Sequence, residues 1–307
     1  MALSSQLDIF LLLQNLCRHS LIFFVVTALG YLTISGSLYA LVFLRPTSKS
    51  APLATKKLKE SLSLSTLWAS VRHDVVLSLW SSVIFAVCAA LMTELYVAGH
   101  TRLYLDPAQI GGQYSAWYLA FSLAIAIFLQ DTYFYFTHRL AHHPKCYRWM
   151  HKGHHHSNNP TPLTAFSFDP AEAFIQAFYL MVAVCVLPMH ISVLCAVVLV
   201  MSLGALIHHF SIRMFKDSAI GRWLGSWLVG PMHHWFHHRK YTLHYGLYFT
   251  FWDKVMGTHC DEYEEILEPP TLEPVLEKAM LAITRMPQNK TARSKTLPFP
   301  TPFKKAS

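Results

Sequence analysis

Sixteen of the 19 histidines of this chain lie after residue 137, most of them in short clusters. In a helix, residues three or four positions apart lie on one face, so imidazole nitrogens at that spacing can converge on a metal ion. Eight histidines in three groups have this spacing: His138 and His142; His151, His154 and His155; and His234, His237 and His238. Eight rings are too many for one ion, so the spacing predicts two metal ions, with His208 as a ninth candidate ligand.

Two acidic residues are candidates to orient these imidazoles. Asp131 precedes His138 by two helical turns on the same predicted face. A carboxylate inside an apolar span is energetically costly and is usually functional. Asp253 lies in an aromatic segment after the last cluster. We predict that both carboxylates hydrogen-bond ligating imidazoles, as outer carboxylates commonly do in metal sites. The spacing assigns no role to the neighbouring histidines His143, His156, His209 and His233.

The ligand type alone does not identify the metal, because imidazole binds zinc, copper, iron and nickel. Catalytic zinc typically takes three protein ligands and leaves one position open, whereas eight or nine histidines favour a pair of irons that activates oxygen. The six cysteines are scattered without a CxxC pair, so thiolate ligands are not indicated. Rival interpretations are a membrane zinc hydrolase, a metal transporter and a bis-histidine haem carrier. A transporter or haem carrier would hold its ligands inside the spans, whereas these histidines follow the spans.

The composition indicates an integral membrane protein. Hydrophobic residues make up 53% of the chain and charged residues only 14%, against roughly 25% charged residues in soluble domains. Four apolar regions, 20–44, 74–98, 115–137 and 171–207, are each long enough for a membrane crossing of about 20 residues. The last region is too long for one crossing and contains Pro188, so we predict a hairpin of two helices. The predicted fold is all-α, with about four transmembrane helices and a helical, histidine-rich cap.

Lysine and arginine residues orient the predicted helices. The linker 45–73 contains six of them, whereas the N-terminal tail 1–19 contains only Arg18 and the loop between the second and third spans only Arg102. Because basic loops stay in the cytosol, we predict a non-cytosolic tail, a cytosolic linker and a cytosolic cap. The net charge of +8 then reflects cytosolic loops beside anionic lipid rather than a nucleic-acid partner.

The predicted organisation has four parts. The tail 1–19 precedes three transmembrane helices within 20–137, and a catalytic region at 138–270 includes the membrane hairpin 171–207. The segment 271–307 is rich in proline, lysine and threonine, which is typical of a flexible tail. It contains Lys304 and Lys305 in the form of a dilysine retrieval signal, which predicts an endoplasmic-reticulum location if the source is eukaryotic.

Three segments, 131–143, 151–155 and 234–238, resemble the histidine boxes of the fatty acid hydroxylase and sterol desaturase superfamily. The segment 245–258 resembles the closing motif of that superfamily, and the resemblance covers roughly residues 70–260. It implies a membrane di-iron enzyme that uses O₂ and two electrons per turnover to oxidise a lipid. In eukaryotic members the electrons come from NAD(P)H through a reductase and cytochrome b5.

The segment 160–170, with its Pro-Thr-Pro turn, is similar to the sterol C-5 desaturase (lathosterol oxidase) subgroup, and so is the position of His208. Asp169 stands where that subgroup has a histidine, and the aromatic third cluster also departs from the pattern. The resemblance therefore implies C-5 desaturation of a sterol. The departures leave two alternatives open: hydroxylation of a fatty acyl, sphingoid or alkylglycerol lipid, and sterol methyl oxidation.

Overall fold

Helices account for nearly all regular secondary structure in the computed structural model, which describes residues 2–41, 64–106, 116–210 and 218–260. Two short strands, β1 (Leu103–Tyr104) and β2 (Met189–His190), are the remaining elements of these ranges. The described α-helices are α1 (Ala2–Tyr39), α2 (Leu64–Val97), α3 (Ala116–Ala141), α4 (Pro144–Met150), α5 (Pro170–Val186), α6 (Ile191–His208), α7 (Ala219–Trp227), α8 (Pro231–Lys240) and α9 (Phe251–Val255).

Four of these helices contain a segment that is long and apolar enough to cross a bilayer: Asp8–Tyr39, Trp68–Val97, Ala116–Ala141 and Ile191–His208. Their outward faces carry exposed apolar side chains such as those of Val26, Trp80 and Phe121, which suits contact with lipid. The predicted all-α fold with about four transmembrane helices is confirmed. The first helix is longer than predicted, because it is already helical at Ala2 and includes most of the predicted tail 1–19.

The fourth apolar region forms a helical hairpin of α5 and α6, with its turn at the predicted Pro188. At the turn, β2 pairs in parallel with β1, so that Leu103 lies opposite Met189. The hydroxyl of Tyr118, near the beginning of α3, donates a hydrogen bond to the Pro188 carbonyl. Since α5 begins beside the histidine clusters, the hairpin extends along α3 from the histidine end to the opposite end.

An apolar core joins the hairpin to α3. Ala126 of α3, Tyr179 and Ala183 of α5, and Val193 and Val197 of α6 are buried together. On the other side, α1 packs against α2, and α2 packs against α5. The hydroxyl of Tyr31 in α1 donates to the carbonyl of Leu163, which connects the first helix to the loop that follows the second histidine cluster.

Short elements form the histidine end of the molecule. Proline occupies the first position of α4, α5 and α8. A backbone N–H at that position has no acceptor within the helix, so proline loses no hydrogen bond there. Two 3-10 turns, His154–His156 and Pro162–Phe166, connect α4 to α5. In the second turn, Thr161 and Thr164 cap each other reciprocally through side chain and backbone. The predictions for 271–307, including the dilysine pair, concern residues outside the described ranges.

Candidate metal centre

Two groups of histidines have ring nitrogens close enough to share a metal ion, with one nitrogen of each member within 4.8 Å of the others. Both groups lie at the end of α3, and all but one of their nine members are buried. We call them group one, which is His138, His142, His151, His155 and His237, and group two, which is His154, His209, His234 and His238.

The structure brings together eight of the nine predicted ligands and places His208 apart. The Nε2 atom of His208 lies 3.2 Å from the Val229 carbonyl, to which it donates. Its neighbour His209, to which the spacing assigned no role, takes the remaining position in group two. The Nδ1 of His209 donates to the Ala205 carbonyl, and its Nε2 lies 3.1 Å from the Nε2 of His234.

The predicted triplets do not each converge on one point. His151 follows α4, whereas His154 and His155 lie in a 3-10 turn, so the second cluster is not a continuous α-helical face. His151 and His155 join group one while His154 joins group two. The third cluster is α-helical in α8, yet it also divides, with His237 in group one and the other two members in group two. The second and third clusters therefore each supply both groups, whereas the first cluster supplies group one alone.

Where the Nδ1 atom of an imidazole donates a hydrogen bond, that bond determines which ring nitrogen carries the lone pair. The Nδ1 of His138 donates to the Tyr245 carbonyl at 3.0 Å, and that of His151 donates to the Glu172 carboxylate at 2.7 Å. In an uncharged imidazole whose Nδ1 donates, Nε2 has the lone pair. The Nε2 atoms of His138 and His151 nevertheless face each other at 3.0 Å. Two lone pairs at that distance repel, and a cation between them converts the repulsion into two ligand bonds.

The same arrangement recurs in His237 and His154, as it does in His209. Nδ1 of His237 donates to the Leu243 carbonyl at 2.7 Å, and Nδ1 of His154 to the Ser167 carbonyl at 3.0 Å. The Nε2 of His237 then faces those of His142 and His155 at 3.0 and 3.1 Å. Five backbone or carboxylate acceptors thus turn five imidazoles so that their Nε2 lone pairs point into the two groups.

Burial keeps these imidazoles uncharged. It lowers the pKa of His154 to about 4 and that of His142 to about 2, the latter helped by the neighbouring imidazoles. It also holds the pKa of His155, His234 and His238 well below the usual value. Uncharged imidazole is the form that binds metal, so both groups are ready to bind metal at neutral pH.

The distances between facing nitrogens are short enough for two imidazoles to share a metal ion. Zinc–imidazole bonds are about 2.1 Å long, so two imidazole nitrogens on such an ion lie about 3 to 3.4 Å apart. The facing pairs in both groups are 3.0 to 3.1 Å apart.

The two predicted carboxylates have other partners than predicted. Asp131 accepts from the backbone N–H groups of residues 247–249 at 2.7 to 3.2 Å, not from an imidazole. Asp253 accepts from the N–H groups of Tyr245 and Gly246 at 2.9 Å and from the Thr258 hydroxyl at 2.7 Å. Both carboxylates therefore hold the loop 245–249 rather than an imidazole. The Tyr245 carbonyl of that loop accepts the hydrogen bond from His138.

The sequence-based prediction assigned no role to three acidic residues at the site: Glu172, Asp74 and Asp169. Glu172 holds His151 directly, and it could have been found by the argument used for Asp131, since it lies within an apolar helix. Asp74 of α2 accepts from the hydroxyls of Ser157 and Thr164 at 2.7 to 3.0 Å. It thereby fixes both ends of the loop after the second cluster.

Asp169, the residue that departs from the sterol desaturase pattern, uses its side chain to bind the backbone of the second cluster. Its Oδ2 accepts from the Gly153 N–H at 2.6 Å. A Cβ atom on residue 153 would collide with the Asp169 carboxylate, so this approach requires glycine. Burial raises the pKa of Asp169, and the backbone hydrogen bonds lower it. Asp169 thus holds the turn that contains His154 and His155.

A third group, His233, His244 and His259, also has ring nitrogens within 4.8 Å of one another. Here the Nδ1 of His233 accepts the N–H of Gly230 at 3.0 Å. Its Nε2 must then carry the ring hydrogen, so it has no lone pair for a metal. Among the described histidines, His233 is thus turned away from metal binding by its backbone contact, whereas His138, His154 and His237 of groups one and two are turned toward it.

Comparison with known proteins agrees with this centre. Residues 123–258 match the Fatty acid hydroxylase family, and this range contains every member of groups one and two. The resemblance inferred from the histidine clusters is thereby confirmed.

The similar proteins are sterol-modifying enzymes. The chain is 33% identical over 165 residues to Delta(7)-sterol 5(6)-desaturase ERG3B of Gibberella zeae, covering 53% of this chain and 48% of that protein. It is 26% identical over 189 residues to Lathosterol oxidase of Homo sapiens, covering 61% and 60%. It is 32% identical over 146 residues to Methylsterol monooxygenase 1 of Rattus norvegicus, covering 46% and 48%. The chain thus spans about half to three-fifths of these relatives. No solved structure matches the chain significantly.

Proposed function

We propose that this protein is a membrane-bound non-haem di-iron oxidase that uses O₂ and two electrons to desaturate a lipid, namely a sterol at C-5. The observation that carries the proposal is the inward-facing set of Nε2 atoms, which lie 3.0 to 3.1 Å apart in two adjacent groups. Group one would hold one iron and group two the other. His208, a ligand in our sequence-based prediction, is replaced by His209 in this proposal.

Two bound irons would supply O₂ activation and removal of hydrogen from an unactivated C–H bond. The residues of the chain itself fix where this takes place. The carbonyls of Tyr245 and Ser167 and the Glu172 carboxylate hold three imidazoles in the tautomer that binds metal.

The substrate class follows from position and from the relatives. Groups one and two lie at the end of α3 and beside α5, so a substrate that enters between apolar helices must be lipid-soluble. The relatives named as Delta(7)-sterol 5(6)-desaturase and lathosterol oxidase support C-5 desaturation of a sterol. A second candidate is sterol methyl oxidation, which the match to a methylsterol monooxygenase favours.

Electrons would come from NAD(P)H through a reductase and a cytochrome b5-type donor, with the centre facing the cytosol at the endoplasmic-reticulum membrane. Exposed cations surround the centre: Lys145, Arg148, Lys152, Arg239 and Lys240. Such a surface attracts an acidic donor, and salt screens this attraction. Turnover with cytochrome b5 should fall as ionic strength rises, and a flat response would contradict a charge-steered donor.

Anaerobic reconstitution tests the central proposal. The purified protein in lipid nanodiscs is loaded with ferrous iron, and a Δ7 sterol and an electron source are supplied before O₂ is admitted. Mass spectrometry should find loss of two hydrogens for desaturation, whereas a gained oxygen would indicate hydroxylation. Product formed without iron or without O₂ would refute the oxidase.

A further inference from the structure

One aromatic side chain, that of Tyr241, lies between group one and the solvent. Tyr241 is 36% exposed, so one part of its ring contacts water. Its ring centroid also lies 4.6 Å from that of His155 and 6.2 Å from that of His142. His155 itself is only 3% exposed. At this point the layer that separates the ligand set from water is therefore one ring thick.

The same ring borders the most accessible member of group one. His142 is partly exposed, whereas the other four members are buried. The rings of Tyr147 and Tyr241 flank it at 5.7 and 6.2 Å, with their planes inclined at 32° and 30° to the imidazole. An ion cannot cross between apolar helices at low cost. A metal ion that comes from water therefore reaches group one at His142, past these two tyrosines.

The backbone of Tyr241 is held in an unusual conformation. Tyr241 follows the last residue of α8 with a φ of 54°, in the left-handed region that is strained for a residue other than glycine. Its N–H donates to the His237 carbonyl, and its carbonyl accepts the Tyr245 hydroxyl, both at 2.9 Å. Such strain persists only where the surroundings impose it. Here it places the aromatic ring against His155.

The far end of the ring is fastened by a single hydrogen bond. The Tyr241 hydroxyl donates to Oδ1 of Asn158 at 3.1 Å, and Asn158 is exposed. An exposed hydrogen bond contributes little net free energy, because water replaces the partner when the bond opens. Rotation of the side chain is fast at an exposed position. The ring can therefore swing outward at small cost while the backbone of Tyr241 stays in place.

We propose that Tyr241 is the cover of group one, and that a metal ion enters and leaves this group when the Tyr241 ring swings away from Asn158. Among the described residues, no member of group two has a ring contact with Tyr241. The cover therefore acts on one of the two groups. This inference rests on the metal binding in the proposed function, and it gives Tyr241 no contact with the lipid.

Release of iron into a water-soluble ferrous chelator tests the cover without turnover. The protein in nanodiscs is loaded with two ferrous ions without O₂, and the absorbance of the chelate is followed. Tyr241→Asn removes the ring but keeps a residue that tolerates the left-handed backbone, so one of the two irons should leave about tenfold faster or more, and the other at the unaltered rate. Tyr96→Asn removes a tyrosine of the same 36% exposure at the far end of α2 and should change neither rate.

Two further variants test the hydrogen bond that fastens the ring. Tyr241→Phe keeps the ring against His155 but loses the bond to Asn158, so release from group one should be about fivefold faster. Asn158→Ala removes the acceptor and should give the same increase. The double variant should release iron no faster than either single variant, because all three lack one and the same bond. Multiplied increases in the double variant would overturn the role of this bond.

The outcomes for Tyr241→Asn decide the cover separately from the oxidase. Equal acceleration of both irons, or of neither, would overturn the cover. Faster release of one iron from a protein that forms no oxidised lipid would refute the oxidase and leave the cover. An unaltered protein that binds no iron would overturn both proposals.

Discussion

Groups one and two differ from the third histidine group in the role of their Nδ1 atoms. In the first two groups, the Nδ1 atoms of His138, His154 and His237 donate to backbone carbonyls, so their Nε2 lone pairs point inward. In the third group the Nδ1 of His233 accepts a backbone N–H, so its Nε2 carries the hydrogen. The His233 ring thus differs in chemistry from those of His138, His154 and His237 because of a single backbone contact. Proximity of imidazoles alone does not make a metal site.

The largest effect should come from removing a ring whose lone pair faces inward. His237→Ala and His154→Ala should abolish activity and lower the iron content, because each ring supplies a nitrogen to one group. His244→Ala, in the third group, should keep two irons per chain. Iron is counted by mass spectrometry on purified protein. Full iron content in His237→Ala, or loss of iron in His244→Ala, would reverse the distinction between the groups.

A smaller effect is expected at the carboxylate that holds His151. Glu172→Gln keeps an acceptor for Nδ1 but removes the charge, and Glu172→Ala removes both. Outer partners of this kind are worth about 10–100-fold in metal affinity, so we expect about tenfold and about 100-fold weaker iron binding respectively. Glu94, which pairs with His19 at 2.8 Å far from the centre, provides a matched control. Competition with a chelator measures the affinity, and equal affinities in Glu172→Ala and Glu94→Ala would contradict the role of Glu172.

The loop that presents the Tyr245 carbonyl gives a test that separates groups one and two. Asp253→Ala removes the acceptor of the Tyr245 and Gly246 N–H groups, so the carbonyl that holds His138 shifts. Iron affinity in group one should fall about tenfold, while group two stays loaded. Asp131→Ala releases the next part of the same loop and should cost about 3 kcal/mol of stability with both irons retained. Loss of both irons in Asp253→Ala would show that the loop supports the whole centre.

The smallest expected effect is a change in acid stability at the third group. Burial lowers the pKa of His244 to about 3 in the folded protein, against about 6.5 for an unperturbed histidine. Because folding keeps this ring uncharged, its contribution to stability is complete above pH 6.5 and is lost as the pH falls toward 3. His244→Asn cannot titrate, so its melting temperature should fall less than that of the unaltered protein between pH 6.5 and pH 4. Parallel curves for the two proteins would exclude this contribution.

Apolar length and histidine spacing were sufficient to predict the spans, the hairpin and eight of the nine grouped histidines. They could not choose between His208 and His209, because that choice depends on which ring the Val229 carbonyl engages across the fold. They also could not divide the clusters between two groups, because the 3-10 turn at His154–His156 depends on the distant Asp169 carboxylate. Asp131 and Asp253 were recognisable as candidates from their position, but their partners include backbone N–H groups, which leave no pattern in the sequence.

The Asp74 contact has a consequence for how separable the parts of this protein are. Asp74 lies in α2, outside the matched range 123–258, yet its carboxylate binds Ser157, Thr164 and Ser167 within that range. The carbonyl of the same Ser167 holds His154 of group two. The matched range is therefore not an autonomous module: without α2, it would lose the anchor of the loop that holds one of its imidazoles in place.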